Sequence, residues 1–109
     1  MKTIKLFNED VKIAFNVLVQ ITYEQITGKG FDAMELNTTL NLMSLYYAVI
    51  IANNPETKIT FDDLTTKATA QDIKTLRDAT IDAMNEWSKL PDVMHEDIEP
   101  LAAEEIKNA

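Results

Sequence analysis

Glycine and proline occur at only five positions in this chain, and those positions decide how it can be divided into elements. Gly28 and Gly30 stand almost together, and the prolines are Pro55, Pro91 and Pro100. Both residue types punctuate regular structure, glycine through its conformational freedom and proline through its fixed φ and missing N–H. The stretches between them carry apolar residues at helical spacing. The expected fold is therefore all-α: a single small bundle of three longer helices, at about 8–27, 38–52 and 70–89. A short helix is expected at about 61–67. A chain of 109 residues is one domain on length, with a helical domain over 1–91 and an acidic tail over 92–109.

For the first helix, Asn8 is the expected N-cap, with Glu9 and Asp10 in the first turn, where acids meet the positive end of the helix dipole. At about 100° per residue, Val11, Ala14, Phe15, Val17, Leu18, Val19, Ile21 and Ile26 gather on one broad arc. Lys12, Asn16, Gln20, Glu24 and Thr27 take the other side. Gly28 ends the helix as a left-handed C′ residue. Thr3 to Phe7 precede it, extended or disordered.

The second helix starts near Asn37 or Thr38. Leu40, Leu42, Met43, Leu45, Tyr46, Tyr47, Val49, Ile50 and Ile51 surround its second half, and a helix apolar all round is the buried centre of its domain. Asn53-Asn54-Pro55 stops it. Thr60 then caps the short helix with Asp63 at N3, and Ile59 is placed to staple onto Leu64. Thr69 and Asp72 repeat that start signal for the last helix. There Ile73, Leu76, Ala79, Thr80, Ala83, Met84, Trp87 and Leu90 form an apolar face, and Ile81 interrupts the polar one. Residues 92–109 hold six acids and one lysine, read as loosely ordered with a short helix at most.

Composition narrows the function. There are no cysteines, which excludes disulfides and thiolate metal sites. Eighteen acids against ten bases give a net charge of −8, which repels phosphate backbones and argues against nucleic-acid binding. The start, with two lysines and no long apolar run, is a poor signal peptide. The longest apolar stretch, Leu45 to Ala52, is far short of the roughly 20 residues that cross a bilayer. The expectation is a cytoplasmic chain with no membrane partner.

The sequence offers no catalytic residue, no metal ligand set and no cofactor site. His95, the only histidine, sits in the acidic tail without a nucleophile to serve. Asp62, Asp63 and Asp72 lack the alternation, the sixth-position glycine and the twelfth-position glutamate of a calcium loop, and helix capping explains them better. Gly28-Lys29-Gly30 follows a helix, whereas a phosphate loop joins a strand to a helix. Asn37-Thr38-Thr39 matches the glycosylation pattern, which matters only on export. Two residues are candidate protein contacts: Tyr23, at the edge of the polar face of the first helix, and Ile81 on the last. The Tyr46-Tyr47 pair reads as core.

Two stretches resemble the small tail assembly chaperones of long-tailed, siphovirus-type bacteriophages and prophages. One is Ala14-Phe15 through Tyr23-Glu24-Gln25-Ile26-Thr27-Gly28-Lys29, a helix closing in an aromatic-acid-x-x-Thr-Gly pattern. The other is Leu45-Tyr46-Tyr47-Ala48, followed by Pro55 and then Ile59-Thr60-Phe61-Asp62-Asp63-Leu64. The likeness spans roughly residues 1–90, and the acidic tail departs from it. It implies a protein of the host cytoplasm that coats the tape measure protein, keeps it soluble and recruits tail tube protein. The alternative from the residues alone is another helical adaptor or regulatory module, antitoxin- or anti-repressor-like. Broad apolar arcs on the first two helices serve a monomeric bundle or self-association equally.

Overall fold

The computed structural model describes residues 1–30 and 37–88. Its elements are β1 (Lys2–Leu6), β2 (Glu9–Ile13), α1 (Val17–Thr27), α2 (Thr39–Asn53), α3 (Phe61–Thr66) and α4 (Ala70–Ser88). The protein is mainly helical, as expected, but it is not all-α. The two strands pair as an antiparallel hairpin. The helix expected from residue 8 begins only at Val17, and its N-cap is Asn16 rather than Asn8, accepting the Val19 N–H at 3.1 Å.

Why the N-terminal segment is a hairpin follows from its turn. Pairing runs from Lys2 opposite Ile13 to Leu6 opposite Glu9, which leaves Phe7 and Asn8 as a two-residue loop. Both have positive φ, 52° and 65°. That is the pattern of a type I′ turn, whose twist matches that of paired strands. Asn accepts this conformation readily. Phe does not, but its side chain packs against the core, which offsets the backbone cost. With register set, side chains alternate. Ile4, Leu6, Val11 and Ile13 point inward and are buried, while Thr3, Lys5, Asp10 and Lys12 face out. Lys5 pairs across the strands with Asp10 at 2.8 Å.

α2 is the central element, as its apolar sequence predicts. Met43, Leu45, Tyr46, Ala48, Val49 and Ile50 are buried, and the helix packs against α1, β2, α3 and α4. Thr38 caps it by accepting the Asn41 N–H at 3.2 Å. Its far end does more than stop. In the hairpin register Lys12 sits opposite Thr3 with its N–H and C=O turned away from β1. Asn54 takes both: its Oδ1 accepts the Lys12 N–H at 2.9 Å, and its Nδ2 donates to the Lys12 carbonyl at 2.8 Å. The same Nδ2 donates to the Ile50 carbonyl at 2.8 Å. Asn53 repeats the arrangement, with Nδ2 donating to Val49 and to Ala14 carbonyls, both at 2.8 Å. Two asparagines thus turn back onto the Val49 and Ile50 carbonyls of α2 and join that helix to β2 and the segment that follows it.

The remaining boundaries follow the sequence closely. Thr60 accepts the Asp63 N–H at 3.0 Å, and Asp63 accepts the Thr60 N–H at 3.1 Å. Thr69 and Asp72 form the equivalent reciprocal pair at 3.1 and 2.9 Å. Ile59 and Leu64, on either side of the first cap, are both buried. On α4, Leu76, Ala79, Thr80 and Ala83 are buried, with Ile73, Met84 and Trp87 packed partly against the core. The edge-to-face contact of Phe15 and Trp87, at 5.4 Å between ring centroids, joins the approach to α1 to the end of α4. Residues 31–36, the last expected residue of α4 and the acidic tail with His95 lie outside the described residues.

Two predictions follow from these joints. Replacing Asn54 by alanine removes both hydrogen bonds to the outward N–H and C=O of Lys12 at an exposed edge and should lower unfolding stability by about 0.5–1.5 kcal/mol in urea titration. A change near zero would show that water replaces the clamp without loss. The second concerns acid. The Lys67 ammonium, 3.0 Å away, and then the Thr60 N–H hold the Asp63 carboxyl below its ordinary value of 3.8. A carboxyl with a depressed folded pKa contributes stability above its unfolded pKa and loses it as pH falls through the folded one. Acid unfolding followed by circular dichroism should therefore show a component setting in below about pH 3.8 that is missing in Asp63→Asn. Identical acid dependence in the two proteins would refute this assignment.

Candidate functional site

A helix has one face to bury, and α1 has more apolar residues than one face can hold. Val19, Thr22 and Tyr23 point into the domain. That leaves Val17, Leu18 and Ile21, which are i, i+1 and i+4 neighbours on a single face, turned to solvent with 57%, 52% and 45% of their surface exposed. The cause is the position of α1. It packs chiefly on α2, so its outer side is left uncovered by the described residues. Single exposed apolar residues are ordinary; here three share one helix face.

The strip is electrically plain. α1 carries no acid in its first turn and no base in its last, and Glu24 is the one charged residue between Val17 and Thr27. At its end, Thr27 Oγ1 donates to the Tyr23 carbonyl at 2.8 Å. Gly28 then takes φ 74° and donates its N–H to the Glu24 carbonyl at 2.8 Å. Gly28-Lys29-Gly30 begins as a helix terminator, and the left-handed backbone is what requires glycine at position 28.

Beside that terminus lies an open groove of about 470 Å³, lined by apolar Ile26, Leu40, Tyr47 and Phe61 together with Thr27, Lys29, Asn41 and Ser44. Tyr47 and Phe61 meet edge to face at 5.6 Å and tie α2 to α3 there.

The two residues singled out from sequence part company. Tyr23 is not on the surface: it is fully buried beneath α1, and burial pushes its phenol above the usual tyrosine range. Its place as a protein contact is withdrawn. Ile81 is where expected, on the outer side of α4 with 48% exposure. The structure brings no partner strip to it on its own helix: its neighbours Lys74, Arg77 and Asp78 are joined in exposed ion pairs. Tyr46 is core, as read; burial raises its pKa first of all, Arg77 lowers it and Asp78 raises it further.

Sequence reasoning named neither Val17, Leu18 nor Ile21 as surface, because it placed them at the middle of the buried arc. The available signal was the surplus itself, an apolar arc wider than one neighbour can cover. The acids do structural work. Asp63 and Asp72 cap helices, and among the described residues no group of three or more acids or histidines is arranged to hold a metal. No helix there is long and apolar enough to cross a membrane.

The strip and Tyr23 are separable by mutation. Ile21→Asp should leave stability within about 0.5 kcal/mol of wild type, as for exposed substitutions generally. Tyr23→Ala should cost about 3–5 kcal/mol, the range for deleting a large buried ring. The same thermal or urea assay reads both, and a large loss for Ile21→Asp would mean that α1 is covered on its outer side. The chain matches no protein-family model, no curated protein and no solved structure.

Proposed function

We propose that the protein is a non-catalytic, protein-binding module of the tail assembly chaperone type. In this reading it binds an apolar tape measure chain in the host cytoplasm, keeps it soluble and helps to recruit tail tube subunits. The observation that carries the protein-binding reading is the outward strip of Val17, Leu18 and Ile21 on α1. Helix-spaced apolar side chains on an uncovered helix suit an apolar helix laid alongside. A long tape measure chain is such a partner, and a net charge of −8 on each bound copy would keep the assembly in solution. The stretches that carry the likeness to these chaperones fall on α1 with its lead-in from Ala14 and on the span from α2 into the capped start of α3.

The test is co-expression with the long, coiled-coil-rich open reading frame expected beside this gene. Wild-type protein should raise the soluble yield of that partner several-fold, and Ile21→Asp, still folded by circular dichroism, should lose the effect. No gain in solubility from the wild type, or a gene lying in a metabolic operon without phage neighbours, would remove the chaperone reading. A pull-down that returns one small globular protein and no tail protein would favour the adaptor or regulatory alternative instead.

A further inference from the structure

We draw no further inference here: the strongest candidate, the open apolar groove between the C-terminal end of α1, the first half of α2 and the start of α3, has nothing in the structure to show what covers it.

Discussion

Asn54 meets Lys12 much as a neighbouring strand would. A side-chain amide has the same donor and acceptor as a peptide group, and here it offers both to the outward N–H and C=O of an edge residue. A two-stranded sheet is marginal by itself, so the hairpin depends on what holds its open edge and its inner face. The asparagines at the end of α2 supply the first, and Ile4, Leu6, Val11 and Ile13 pressed into the core supply the second. Once β2 is fixed against the end of α2, the short connection through Ala14 and Phe15 leaves α1 little choice. It must start beside the end of α4, where Phe15 meets Trp87, and run back along α2. The exposure of its outer side is a consequence of that route.

What could be read in advance was governed by distance along the chain. The starts of α2, α3 and α4 depend on contacts three residues apart, Thr38 to Asn41, Thr60 to Asp63 and Thr69 to Asp72, and such contacts are written in the local sequence. The centrality of α2 was legible because nothing polar interrupts its second half. The hairpin was hidden for two reasons. Its turn uses Phe7-Asn8 rather than the Asn-Gly or Asp-Gly pair that announces a two-residue loop. Its stabilising partners, Asn53 and Asn54, lie some forty residues away, where they read only as a helix stop.

The error at Tyr23 descends from that one. Treating Val11, Ala14 and Phe15 as part of the helix pulls the centre of the apolar arc toward Val17, Leu18 and Ile21. Val19 and Tyr23, on the side that meets the core, lie about half a turn away at 100° per residue. Angles on a wheel give which residues share a face, but the direction of the core comes from packing partners. Ile81 escaped the error because the neighbouring polar residues of α4 fix its outer side by themselves. A binding surface of plain aliphatic residues has no chemical signature, so the strip on α1 became visible only as a surplus over what the fold buries.

α2 contains neither an acid nor a base along its fifteen residues, and the amides at its end cannot titrate. Proton uptake therefore leaves the amide contacts from Asn53 and Asn54 themselves unchanged. It acts at the start of α3, where Lys67 and then the Thr60 N–H hold the Asp63 carboxyl below its ordinary value. Acid thus has a defined point of attack in the first turn of α3, whereas the amide contacts between α2 and the hairpin keep their donors and acceptors at any pH.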